Sequence, residues 1–208
     1  MKRTEYTEGY EFSFVAYTGA EMNEKRPLII QLHGAGERGN GKDELQLVDK
    51  HGFSKYLKEA EHDCVVVMPQ CPADSFWAAR VESIVRFVGQ MIEKFHADPD
   101  RVCLTGLSMG GYGTWFTAMA RPDLFAAIAP VCGGGMAWNA GVLTMPVWTC
   151  HGAKDETVSI NQTEEMVAAL RALGRDVTYE RLEDYGHNAW DYAYTERLMN
   201  WLLSKERR

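Results

Sequence analysis

The sequence predicts an α/β fold, a mainly parallel sheet flanked by helices, and three observations predict it. Apolar runs such as Leu28-Ile29-Ile30-Gln31-Leu32 and Cys64-Val65-Val66-Val67-Met68 are near-continuous rather than alternating, as strands covered on both faces are. These runs take turns along the chain with stretches whose apolar residues recur at helical spacing, the pattern of βαβ units. Several runs end in glycine-rich segments, and the sharpest of these, Gly106-Leu107-Ser108-Met109-Gly110, lies between a strand signal and a helix signal.

In chain order, Tyr10 to Tyr17 alternates aromatic or apolar residues with others and reads as a half-buried strand. A polar connection from Thr18 to Arg26, containing Gly19 and Asn23, leads to the buried strand Pro27 to His33, and Gly34 to Gly41 follows as a loop rich in exposed amides. Phe53 to Glu59 reads as a short helix, Cys64 to Met68 as a strand stopped by Pro69, and Gln70 to Trp77 as a loop. Ala79 to Phe95 carries Val81, Ile84, Val85, Val88, Met91 and Ile92 at helical spacing. The strand Arg101 to Leu104 and the helix Gly111 to Ala120 flank Ser108. Leu124 to Cys132 and Met145 to His151 read as further strands, each running into glycines. Ile160 to Leu173 is a helix that Gly174 terminates, because glycine adopts the left-handed conformation of a C-terminal cap. Val177 to Leu182 is the last strand and Trp190 to Leu203 the last helix. No linker, low-complexity tract or internal repeat divides the chain, so residues 1–208 are expected to form one domain, a length that buries roughly 70% of the unfolded surface.

Composition excludes several classes. A formal net charge of -7 disfavours a nucleic-acid backbone or an anionic membrane as partner, since both select for basic faces. The apolar runs are too short to span a bilayer, and the N-terminus lacks the apolar region of a secretory signal, which makes the cytoplasm the expected compartment. The five cysteines, Cys64, Cys71, Cys103, Cys132 and Cys150, include no Cys-x-x-Cys pair, so neither a disulfide framework nor a zinc site is indicated.

Ligands of open α/β sheets bind at the carboxyl ends of the strands. Ser108 falls there, on a strand-to-helix turn whose close backbone approaches require Gly106 and Gly110. A hydroxyl is a weak nucleophile at neutral pH and needs a base, which a third group must orient. Of the six histidines, His33 and His151 end strands before glycines and read as structural groups bonded to backbone, while His51, His62 and His96 read as surface. His187, in the loop after the last strand with Gly186 before it, is the expected base. Asp155, just after a buried strand, is the expected acid; it also suits an N-capping role near Thr157 or Ser159, and Glu156, Asp184 and Asp191 are alternatives. The oxyanion formed by attack of Ser108 needs two donors. The Met109 amide supplies one, and the Ala35 amide, with Gly36 as alternative, the other.

Leu32-His33-Gly34-Ala35-Gly36-Glu37-Arg38-Gly39, Gly106-Leu107-Ser108-Met109-Gly110-Gly111, His151-Gly152-Ala153-Lys154-Asp155 and Gly186-His187-Asn188-Ala189-Trp190 together resemble the α/β-hydrolase superfamily. Within it they look like the small phospholipase/carboxylesterase and dienelactone-hydrolase-like group, in the branch often called esterase or peptidase. The resemblance extends from the strand at Pro27 to the last helix. It implies a serine hydrolase with Ser108, Asp155 and His187 as its triad, no cofactor and no metal. Dienelactone hydrolases proper place Cys where this chain has Ser108, and no stretch here is long enough for the lid of a typical lipase. The expected reaction is hydrolysis of soluble or polymer-attached carboxylic esters through an acyl-enzyme, with short acyl esters and acetylated or feruloylated carbohydrate as the expected substrates. A peptidase or amidase of the same fold and a non-catalytic binding protein on the same scaffold are the competing readings. Trp77, Trp138 and Trp190 stand in or beside strand-end loops, where indoles serve as cleft walls or as packing. Gln70 and Glu37 either contact substrate or hold their own loops.

Overall fold

A computed structural model describes residues 1–19 and 25–207 of the protein. Asn23 and the centre of the polar connection read between Thr18 and Arg26 lie outside the described residues. The strands are β1 Lys2–Tyr6, β2 Phe14–Thr18, β3 Leu28–Leu32, β4 Val65–Pro69, β5 Val102–Leu107, β6 Ala127–Val131, β7 Val147–Gly152 and β8 Val177–Leu182. The helices are α1 Ser54–Leu57, α2 Val81–Phe95, α3 Met109–Ala120, α4 Asn161–Ala172, α5 Trp190–Ala193 and α6 Glu196–Leu203.

All eight strands join one sheet in the order β1-β2-β4-β3-β5-β6-β7-β8. Pairing is parallel from β4 through β8, and β2 alone runs against the others, antiparallel to both β1 and β4. The near-continuous apolar runs follow from that position: all five residues of β3, β4 and β6 are buried. Alternate residues feed two cores. Leu28, Ile30, Leu32, Val65 and Val67 join one with Trp77, Phe87, Val88, Met91, Trp115, Met166 and Leu170 of the helical layer. Ile29, Val66 and Met68 join the other with Phe53, Leu57, Leu198, Met199 and Leu202. Among the described residues no lid domain interrupts these layers, and no helix is long and apolar enough to cross a membrane.

After β3 the chain first adds β4 on one side and then returns to place β5 on the other, so the strand order reverses between β3 and β5. That reversal opens a crevice above their carboxyl ends. The register pairs Leu32 with Gly106, which sets the loop after β3 beside the turn after β5.

Three elements differ from the sequence expectation. Lys2–Tyr6, to which the sequence reading assigns no element, is the edge strand; its charged residues face solvent, which hides the apolar signal while blunting an otherwise open edge. The strand expected from Tyr10 begins only at Phe14, because Gly9 at φ 85° turns the chain and Tyr10 packs edge-on against Phe14 instead of pairing. The single helix expected from Trp190 to Leu203 is two helices, broken where Tyr194 turns inward to bring its hydroxyl within 3.0 Å of Thr105 Oγ1 beneath the sheet.

Candidate active site

β5 carries the chain to Ser108 and α3 starts at the next residue. Ser108 sits at φ 53° and ψ -117°, a conformation that costs a non-glycine residue of order 1–3 kcal/mol and persists only where the surroundings impose it. Its amide is tied to the Val131 carbonyl at 2.9 Å. The turn is as tight as its glycines imply. A β-carbon on Gly106 would stand 2.3 Å from the Gly110 carbonyl oxygen, and one on Gly110 would stand 2.1 Å from that of Leu32.

His187 reaches Ser108 from the loop after β8. Its Nε2 is 2.8 Å from Ser108 Oγ, and its Nδ1 is 2.7 Å from Asp155 Oδ2. A carboxylate accepts only, so Nδ1 carries the hydrogen and Nε2 presents its lone pair to the Ser108 hydroxyl. Asp155, in the turn after β7, divides its oxygens between two duties. Oδ2 faces the imidazole, while Oδ1 accepts the Thr157 and Val158 amides, each at 2.9 Å. The capping expectation is thus met in a turn ahead of α4, not at its first residue, and it competes with nothing. Burial pushes the Asp155 carboxyl up, but the His187 N–H and the two amides outweigh it and hold its pKa below the ordinary range. The alternatives lie elsewhere: Glu156 is exposed, Asp184 pairs with Lys154 at 3.1 Å, and Asp191 accepts from Asn188.

The loop after β3 leans on the nucleophile turn, since a β-carbon on Gly34 would stand 3.7 Å from Ser108 Cβ. Ala35–Glu37 is a single 3-10 turn. His33 fixes its base: Nε2 accepts the Cys71 amide at 2.9 Å, so Nδ1 donates to the Gly34 carbonyl at 2.6 Å. Arg38 Nε closes the turn onto the Ala35 carbonyl at 2.9 Å. Among the described residues neither the Met109 nor the Ala35 amide has a hydrogen-bond acceptor in the protein, which leaves both available to an oxyanion. Gly36, the alternative donor, is exposed beside them with open space around it.

Of the expected wall and contact residues, the structure separates two groups. Trp77 is fully buried in the core and donates Nε1–H to the His33 carbonyl at 2.9 Å, so it supports the Gly34 loop from below and faces no cleft. Gln70 is likewise spent internally: its amide group donates to the Glu37 and Glu44 carbonyls and its oxygen accepts the Gly41 amide at 2.8 Å. Both correct the expectation of a substrate contact, because a strand-end loop offers inward as well as outward positions. Trp190 does border the catalytic loop, its ring edge-on to His187 at 5.1 Å between centroids and tilted against the His51 ring at 5.1 Å. Trp138, 82% exposed, stands on the 3-10 segment Ala137–Val142 after β6. Glu37 is buried with His51 Nε2 3.8 Å from its carboxylate, a pair the sequence reading had not joined.

Cys132 was legible only as a reduced thiol, yet its sulfur lies within 4.8 Å of the Asp155 and His187 donor atoms. Burial drives its pKa far up, so the thiol stays protonated and faces the His187 carbonyl as a donor at 3.7 Å, while the carboxylate and imidazole bond one another. All five cysteines are free and buried.

Comparison with known proteins finds likenesses in both sequence and fold. The model of the prolyl oligopeptidase family, Peptidase_S9, matches residues 78–140, the segment holding Ser108. The bifunctional acetylxylan esterase/xylanase XynS20E of Neocallimastix patriciarum is 25% identical over 161 residues, covering 74% of this chain and 23% of that protein. A thermostable esterase of known structure superposes with a TM-score of 0.83 at 27% identity, covering 99% of this chain and 63% of its own. A feruloyl esterase module from Clostridium thermocellum, solved as an S954A mutant with sinapinate, shares the fold at a TM-score of 0.75 and 14% identity, over 100% of this chain and 89% of its own. The chain therefore spans about a quarter of the first relative and under two thirds of the second. With the sheet order, the Gly106-x-Ser108-x-Gly110 turn and these likenesses in agreement, the chain has the α/β-hydrolase fold.

Proposed function

We propose that the protein is a serine carboxylesterase that works through an acyl-enzyme. One observation carries the reading: an unbroken chain of short hydrogen bonds, 2.8 Å and 2.7 Å, runs from the Ser108 hydroxyl through His187 to Asp155. In this reading Ser108 Oγ attacks the ester carbonyl as His187 Nε2 takes its proton. Asp155 holds the imidazole in the required tautomer and balances its charge, and the Met109 and Ala35 amides receive the oxyanion. His187 then passes the proton to the departing alcohol, and water, activated by the same base, releases the acid.

Short acyl esters, and acetylated or feruloylated carbohydrate among them, are the proposed substrates. The acetylxylan esterase name of a relative supports the first, and the feruloyl esterase module supports the second through its fold alone. The exposed Trp138 and the half-buried Trp190 are aromatic surfaces proposed to receive such groups. The family match over residues 78–140 favours a second reading, a serine peptidase. Purified protein assayed against p-nitrophenyl esters of rising chain length and against peptide p-nitroanilides separates the two. Ester turnover that falls as the acyl chain lengthens, without anilide cleavage, is expected; preferential anilide cleavage would install the peptidase reading.

A further inference from the structure

Asp155 bears a second imidazole. His151, at the carboxyl end of β7, is fully buried. Its Nε2 lies 3.1 Å from Asp155 Oδ2, the same oxygen that His187 Nδ1 reaches at 2.7 Å, and 3.0 Å from the Val158 carbonyl. Both neighbours of Nε2 only accept, so Nε2 carries the hydrogen and donates it. On the far side of the ring, the Thr163 hydroxyl lies 2.8 Å from Nδ1 and 2.6 Å from the Gly133 carbonyl and has one hydrogen to offer these two acceptors. The ring is thus pinned between α4 and the turn after β7. The strand-end position alone marks His151 as a structural group bonded to backbone; the contact with the acid comes from the turn that folds Asp155 back over it.

We propose that His151 is a positioning residue that acts through Asp155, fixing which carboxylate oxygen faces His187 and drawing charge from that oxygen, so that the relay runs Ser108, His187, Asp155, His151. The inference rests on the reading of Ser108, His187 and Asp155 as a triad. An oxygen that accepts two N–H groups offers each less charge than it would offer one. The His187 imidazolium is then held less firmly, and the imidazole gives its proton to a leaving group more readily. Burial pulls the pKa of His151 below its usual value, ahead of the Val158 carbonyl and Asp155, which pull it up, so at neutral pH it acts as an uncharged donor.

The other titratable groups around this pair do not compete for the role. Cys132, at the end of β6, and Tyr112, on α3, are both pushed upward by burial and stay protonated. Arg181, beside His151 in the register of β8, is engaged with Glu164 and Glu183, and Lys154 with Asp184.

The test is NMR of the histidine-labelled protein, with kcat/KM against pH measured on the same samples. In the wild type, His151 is expected as the Nε2–H tautomer throughout the neutral range. In His151→Leu, which removes the donor, the His187 titration is expected to move up by about 0.5–1 pH unit, with the acid limb of kcat/KM following it. His151→Gln restores an N–H within reach and is expected to return both to within about 0.3 unit of the wild type. An Nδ1–H tautomer of His151 in the wild type would overturn the proposal even if the leucine variant does not fold. So would a folded leucine variant whose His187 titration is unmoved, with only stability or the plateau rate reduced. The NMR readout needs no turnover, so failure of the esterase reading and failure of this inference register separately.

Discussion

Acid should weaken this fold through His33 before it reaches the carboxylates. Burial brings the His33 pKa down from 6.5 to about 4, with Arg38 adding to the effect and the Gly34 carbonyl opposing it. The unfolded chain binds a proton at His33 below about pH 6.5, whereas the folded chain refuses it until about pH 4. Stability from this group is therefore complete above pH 6.5 and is lost as pH falls through the window between the two values. At about 1.4 kcal/mol per unit, the loss is about 2 kcal/mol by pH 5 and about 3 kcal/mol by pH 4. Protonation also converts Nε2 from the acceptor of the Cys71 amide into a second donor facing it, which loosens the base of the Ala35 turn. Urea unfolding at pH 7, 6, 5 and 4.5, with a constant m-value as the sign of two-state behaviour, measures the slope in the wild type and in His33→Gln. The variant should be less stable at pH 7 but should lose about one proton's worth of the slope. His151 and His51, whose pKa values burial also lowers, account for part of the remainder. An unchanged slope in the variant, or a His33 resonance that titrates near 6.5 in the folded protein, would refute the reasoning.

Other perturbations separate the parts of the account. Asp155→Asn leaves the carboxamide able to keep the Thr157 and Val158 amides but strips the charge and favours the wrong His187 tautomer; kcat should fall by about 10⁴ in a protein that still folds, less stable because the new NH2 faces the His151 N–H. Gly110→Ala would drive a methyl group into the Leu32 carbonyl at 2.1 Å, against backbone that has no side chain to move aside, so its expected result is a protein that fails to fold or melts far below the wild type in thermal denaturation. Trp77→Ala should cost about 3–5 kcal/mol of stability by urea unfolding, as the loss of a buried indole does, while Trp138→Ala should leave stability within about 0.5 kcal/mol and raise KM for aromatic acyl esters. The reverse pattern would put the cleft wall back at Trp77.

What the sequence made legible follows physical periodicity. The sheet's centre was visible because strands buried on both faces are apolar throughout, and the Ser108 turn because its glycines answer to backbone clashes that any side chain would create. Lys2–Tyr6 escaped notice since an edge strand shows solvent its charged residues. The break at Tyr194 carries no glycine or proline; it is set by a hydroxyl reaching Thr105 from a distance in sequence that local patterns do not span. The same holds at the site. Ser108, Asp155 and His187 could be chosen by order and loop position, but the burial of Trp77 and the internal bonds of Gln70 depend on which way each side chain turns within a loop. Backbone donors such as the Ala35 amide leave no mark in residue identity at all. The shared oxygen of Asp155 is a matter of tertiary distance, invisible until β7 and the turn after it are folded together.

The most direct test of the central claim is covalent labelling with a fluorophosphonate probe, read by intact-protein and peptide mass spectrometry on folded wild type and on Ser108→Ala. The account predicts one adduct per chain, located on Ser108, and no adduct with an intact fold in the variant. Absence of labelling in the folded wild type, or an adduct that persists in Ser108→Ala, would contradict it.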